Sequence, residues 1–209
     1  LAALGVGGIQ VLYSRLLHLS EEDVLRSMGS AAEQAVINVN ARMDAVEEAM
    51  QALLYDVRFQ ESINRSDEEE TLENQLDEIR PLRELVSRVS ANRGIAQVRI
   101  YMNDQKLLSR EGVNFFPLSE AAETEEYRLV AEAGAGQRWL GAHRVQTTYF
   151  DEACITLGVM YRKNFLESSR NQALVLIDLT EDSFMALLSG LELPGEGSFA
   201  AVTDASGAL

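Results

Sequence analysis

A carboxylate sits where an apolar strand should run: Asp178 interrupts "LVLIDL". Such a group costs several kcal/mol in a central strand unless it is paired or hydrogen-bonded. Two readings follow. Asp178 ends the strand and caps a helix over 180–188, or it faces a small-molecule pocket and satisfies a ligand amine or hydroxyl. In "QVRIYMNDQKLLSREG", Arg99 and Tyr101 share one face of a candidate strand, with Val98, Ile100 and Met102 on the other. Tyr127 lies in a helical segment, Trp139 is the only tryptophan, and "HRVQTTYFDEA" brings Arg144, Tyr149 and Asp151 up to the start of another strand. Each aromatic residue alone fits core or rim packing, whereas several together would line a pocket. The candidate ligand-binding set is therefore Arg99, Tyr101, Tyr127, Trp139, Arg144, Tyr149, Asp151 and Asp178. Its chemistry is ion pairing, hydrogen bonding and stacking.

Signatures of bond-breaking chemistry are missing. His18 and His143 are far apart in sequence, with no H-E-x-x-H or Cys/His spacing for a metal, no Gly-x-Ser-x-Gly elbow and no P-loop. "GVGG" at Gly5 lacks the spacing of a dinucleotide fingerprint. The region is not expected to be an enzyme or to hold a cofactor or metal. Cys154, the single cysteine, sits in "ACITLGVMY" and reads as a buried, inert thiol, so no disulfide forms within the chain. A formal charge of −15 argues against nucleic acid, whose affinity is built on contacts from Lys and Arg, and against an anionic membrane surface.

The elements that must position these residues fall into two kinds. From Ser20 to Arg58 there is no proline, and Ser20 before Glu21, Glu22 and Asp23 predicts a helix start. Apolar residues from Leu25 through Ala35, Val39, Val46 and Leu53 to Val57 recur about every 3.56 residues, a helical period. This stripe is either a core face or a dimer seam, or each along a different part. A second helix has Leu72, Leu76, Ile79, Leu82 and Val89 on its apolar face, with Pro81 expected to kink it or start a new helix, and Gly94 just past its end. The acid run 67–70 reads as a solvated helix start.

After Gly94 the period becomes 2. Strands are predicted over 96–102, 106–110, 138–141, 153–162 and 173–179, with a hairpin at Asn103-Asp104. A helix over 119–133, capped by Ser119, interrupts them, and Thr180 caps a short exit helix. The expected fold is α+β: a long N-terminal helix, then a mainly antiparallel five-stranded sheet, with the start of a second sheet at the C-terminus. The corresponding divisions are 1–58 (tail and long helix), 59–191 (the α+β domain with the second helix) and 192–209 (linker and the opening of a truncated domain). The apolar N-terminal stretch is too short to span a bilayer. It is either the outer end of a transmembrane helix or the first turns of a soluble one, and both chain ends look like cuts in a longer protein.

This order resembles the Cache family of bacterial extracytoplasmic sensor domains, in the double Cache form, which implies a PAS-like sheet, a stalk in the long helix and a distal sensor domain over 59–191. The resemblance is carried by "VRIYMNDQKLLS", by "TTYFDEACITLGVMYR" with its Tyr-x-Asp approach, and by "ALVLIDLTEDSFMALL". "SFAAVTDASGAL" is similar to the opening of a membrane-proximal domain. In amino-acid-binding members a Tyr-x-Asp pair and a later Asp hold the ligand, and Tyr149, Asp151 and Asp178 match them. Their Arg-x-Trp-Tyr cluster, which would hold an α-carboxylate, has no counterpart in "EEYRLVAEAG", which leaves a sugar, another small polar molecule or no direct ligand at all open. The resemblance implies the extracytoplasmic portion of a cell-membrane sensor histidine kinase. It would be held by transmembrane segments outside this sequence, homodimeric through the long helix, and its partner would be a small-molecule ligand. The same module on a chemoreceptor, a diguanylate cyclase or a membrane-bound AraC-type regulator is the nearest alternative. A helical stalk whose head binds another protein is the alternative from a different class.

Overall fold

The computed structural model describes residues 2–64, 72–134, 136–162 and 172–188. The acid run and the segment expected to open a second sheet lie outside the described residues. The fold is α+β, a long N-terminal helix followed by a five-stranded mixed sheet.

Helix α1 runs unbroken over Ala2–Leu54. Ser20 lies inside it and does not start it, because the residues on its N-terminal side, Leu16, Leu17 and Leu19 among them, propagate a helix well. No helix among the described residues is long and apolar enough to cross a membrane. Asp56 breaks the rod and begins α2 (Val57–Asn64). Its carboxylate accepts the Arg58 backbone N–H at 2.9 Å and is clasped by the Arg58 guanidinium at 3.0 and 2.6 Å. The Gln60 side chain donates to the Leu54 carbonyl at 2.9 Å, satisfying an open end of α1.

Helix α3 (Leu72–Ser90) continues through Pro81 without breaking. It closes at Asn92, whose side-chain amide donates to the Val89 carbonyl at 2.8 Å, and at Gly94, with φ of 90°. A side chain on Gly94 would also collide with the Arg42 guanidinium, which donates to the Arg93 carbonyl.

The strands are β1 (Gln97–Met102), β2 (Phe115–Pro117), β3 (Gln137–Gln146), β4 (Asp151–Arg162) and β5 (Gln172–Thr180), in the order β2-β1-β5-β4-β3. Three pairings are antiparallel; β1 and β2 are parallel. The hairpin expected at Asn103-Asp104 does not form. The turn itself does, with Asn103 Oδ1 accepting from the Gln105 N–H at 3.0 Å. Residues 107–110 then form a 3-10 turn rather than a strand. Glu111 redirects the chain: its Oε2 accepts the backbone N–H groups of Val113, Asn114 and Phe115 at 3.0, 2.8 and 3.3 Å, and Arg83 holds its other oxygen at 3.1 Å. The chain therefore re-enters beside β1 in the parallel sense.

One face of the sheet carries Ile100, Leu157, Val175 and Ile177, which bury against Val46, Met50 and Leu53 of α1, Phe59 of α2, and Leu82 and Val86 of α3. The apolar stripe of α1 thus divides. From Ala35 to Leu53 it belongs largely to the core, whereas Leu25 at its start is exposed; Val24, Val36 and Ile37, off the stripe, are exposed as well. The other face carries Tyr101, Leu140, Met160, Leu174 and Leu176 beneath two short helices, α4 (Leu118–Ala121) and α5 (Glu125–Glu132). Thr124 caps α5, accepting the Tyr127 N–H at 3.2 Å, so the single helix expected from Ser119 is two. Thr180 accepts the Ser183 N–H at 3.3 Å and caps the exit helix α6 (Glu181–Leu188).

Candidate functional site

The α5-covered face holds a group of charges shut away from water. Arg99 on β1 is 3% exposed and Asp178 on β5 is fully buried. Arg99 Nε and Nη2 donate to Asp178 at 2.7 and 2.9 Å; Nη2 and Nη1 donate to Glu126 of α5 at 2.7 and 3.0 Å; Nη1 also donates to the Tyr101 hydroxyl at 3.3 Å. These five contacts match the five N–H groups of a guanidinium, so the fork is saturated. Thr156 on β4 donates to Asp178 at 2.7 Å, and His143 on β3 lies 2.8 Å from Glu126.

Electrostatics follow from this packing. Burial works against the Arg99 charge, but the carboxylates of Asp178 and Glu126 outweigh it and hold its pKa above the usual range. Burial pushes the Glu126 carboxyl upward, while His143 and Arg99 bring it down, on balance to about 2. Burial also raises the Tyr101 hydroxyl, and pushes the Cys154 thiol up to about 12, so both are neutral at physiological pH. Among the described residues no group of three His, Cys, Asp or Glu side chains is placed to hold a metal.

Backbone geometry explains how these residues meet. Strand alternation puts Gln97, Arg99 and Tyr101 on one face, and Asp178 stands opposite both Gln97 and Thr156 in the ladders. His143 arrives by a bulge. Leu140 pairs with Thr156 and His143 with Cys154, so two residues oppose one, and His143 shares the face of Leu140 instead of the opposite one. Helix α5 comes close because Gly158 lies under it. A methyl group there would stand 3.0 Å from Leu176 Cδ2 and overlap Val130 outright. Gly158→Ala is expected to destabilise the fold by about 1–3 kcal/mol through this overpacking, measurable by urea denaturation.

Beside the charges lies a half-open cleft of about 450 Å³, lined by Tyr101, Ser109, Arg110, Phe116, Glu120, Gln146, Thr147 and Thr148, with Gly112 and Pro117. Tyr101 belongs to both features: its hydroxyl touches Arg99, and its ring stacks on Phe116 with centroids 5.2 Å apart. The Thr147 hydroxyl oxygen is buried and has no hydrogen-bond partner among the described residues.

Of the residues expected at a site, the structure brings together Arg99, Tyr101 and Asp178. Tyr127 sits next to Glu126 on α5 and packs at the edge of the apolar patch. Trp139 is on the opposite face, its indole N–H donating to Glu47 of α1 at 2.8 Å. Arg144 and Asp151 pair at 2.7 Å on the surface, and Tyr149 is 77% exposed in the β3–β4 turn, so these three stand away from the buried charges. Asp178 neither ends β5 nor caps α6. Sequence reasoning missed Glu126, His143 and Thr156. Thr156 did carry a signal, a polar residue in phase with Cys154 and Gly158 in an apolar strand; Glu126 carried none, because a single helix over 119–133 places it mid-helix, whereas the Thr124 cap puts it in the first turn of α5. No protein-family model matches the chain and no curated protein matches it, so its site is read from its own chemistry.

Proposed function

We propose that this chain is a Cache-like, PAS-type extracytoplasmic sensing domain of a bacterial transmembrane sensor histidine kinase, and that it binds a small polar molecule in the cleft beside Tyr101. The observation that carries this reading is the double role of Tyr101, which forms the cleft wall and also contacts the saturated Arg99 network. A ligand that displaces the Tyr101 ring changes a contact shared by β1, β5 and α5. Strand β5 leads directly into α6, which packs near α1, so the change has a physical route to the long helix. Ligand binding would shift this geometry only by binding one state more tightly than the other.

The exposed Val24, Leu25, Val36 and Ile37 support a homodimer in which two α1 rods pair beyond the sheet. Transmembrane segments outside this sequence would then place the head on the extracytoplasmic side. The strand order and the long leading helix support the Cache resemblance, and the parallel β1–β2 pairing departs from the antiparallel hairpin expected there.

A thermal-shift screen with sugars, organic acids and amino acids tests the reading. At least one class is expected to raise the melting temperature; at a hundredfold excess over Kd the added stability is about 2.7 kcal/mol. Thr147→Val, which removes the unpartnered hydroxyl at the cleft while keeping its shape, is expected to weaken that shift without lowering the ligand-free melting temperature. If no class shifts the protein, cleft sensing fails.

A further inference from the structure

The imidazole of His143 is held between two oxygens that can only accept. Nδ1 lies 2.8 Å from the Gly141 carbonyl, and Nε2 lies 2.8 Å from Glu126 Oε1 and 3.4 Å from the Thr156 hydroxyl, whose own proton is given to Asp178. Glu126 has no proton to give at neutral pH, because its contacts with His143 and Arg99 hold its carboxyl down to about 2. A neutral imidazole would turn a lone pair toward one of these oxygens; only the doubly protonated ring satisfies both.

The charge balance agrees. Arg99 and a protonated His143 carry two positive charges against those of Asp178 and Glu126. Loss of the His143 proton leaves one negative charge uncompensated at side chains that are 4% (Arg99), 0% (Asp178) and 17% (Glu126) exposed. The other titratable groups facing His143 do not compensate. Tyr101 from β1 and Cys154 from β4 stay neutral. On α5, Arg128 is engaged outward by Glu125 and Glu132.

We propose that the domain senses pH through this contact: the proton on His143 tightens the hold of the sheet on the first turn of α5, and its departure leaves Arg99 alone to hold Glu126 and loosens that turn. The inference goes beyond ligand binding in the cleft and stands or falls separately from it.

The direction of the response is fixed by linkage. Glu126 raises the His143 pKa above its ordinary 6.5, so the stabilisation is complete below that value and is lost as pH rises through the higher folded-state value. Glu126, held down to about 2, weakens the hold only in strong acid. The hold on α5 is therefore strongest in mildly acidic medium and weakens as pH rises past the raised His143 value.

NMR titration of the imidazole protons tests this in the unmodified protein. With only two histidines in the chain, His143→Gln assigns the signal by deleting it. The His143 midpoint is expected above 6.5 and is expected to fall in Glu126→Gln, which retains the shape of the contact. Amide hydrogen exchange along α5, corrected for intrinsic rates, is expected to lose protection roughly tenfold between about pH 6 and about pH 9. In His143→Gln, a partly exposed edge-strand position, that pH response is expected to vanish. A His143 midpoint at or below the ordinary value, or α5 protection equal at the two pH values, overturns the proposal.

Discussion

Asp178→Ala is expected to lower the unfolding free energy by about 3–5 kcal/mol. Removing the carboxylate leaves Arg99, 3% exposed, without its partner on β5, and leaves the Thr156 hydroxyl without its acceptor at 2.7 Å. The loss reflects the stranded charge and not the worth of the pair. Replacing Arg99, Asp178 and Glu126 together with Met, Leu and Gln is accordingly expected to recover most of the stability, because Met and Leu carry no desolvation cost and the neutral Gln, at the partly exposed position, keeps the contact with His143. Urea denaturation of the single and triple variants decides the matter. A loss under about 1 kcal/mol for Asp178→Ala, the range of an exposed ion pair, would contradict the burial described here. Asp178 is therefore a poor probe of ligand binding, since its removal weakens the scaffold itself.

The second large effect is expected at Phe59. This ring is fully buried where α2 turns back against the sheet, edge-on to Tyr161 at 5.4 Å, and shares its core with Met50 and Leu53 of α1. Phe59→Ala removes the wedge that fixes the end of the rod to the strands, at an expected cost of about 3–5 kcal/mol. Phe59→Leu, which fills most of the space, is expected to cost under about 1.5 kcal/mol. Tyr55→Ala, one turn earlier and 76% exposed, is expected to stay within about 0.5 kcal/mol of the parent. Equal losses at Phe59 and Tyr55 would show that α2 does not anchor the rod.

Sequence pattern located α3, β1, β4, β5 and α6 closely, because each is announced by period and caps acting within a few residues. Its failures share a cause in longer-range hydrogen bonds. The strand expected over 106–110 lost to Glu111, whose carboxylate gathers three backbone donors under the hold of Arg83, a residue of a distant helix. The site was half legible for the same reason. Arg99, Tyr101 and Asp178 follow from simple alternation, whereas His143 reaches them only through the bulge after Leu140, which reverses the parity of β3. Trp139, on the unshifted side of that bulge, faces α1 instead.

The unbroken course of α1 has a mechanical consequence. The core grips the rod from Val39 to Leu53, which leaves residues 2–38, about 55 Å at 1.5 Å each, as a free lever. A swing of about 5° where the grip begins carries the far tip through about 5 Å, close to one helical pitch. Displacements at the sheet too small to disturb its packing are thus large enough at the tip to slide one rod past another.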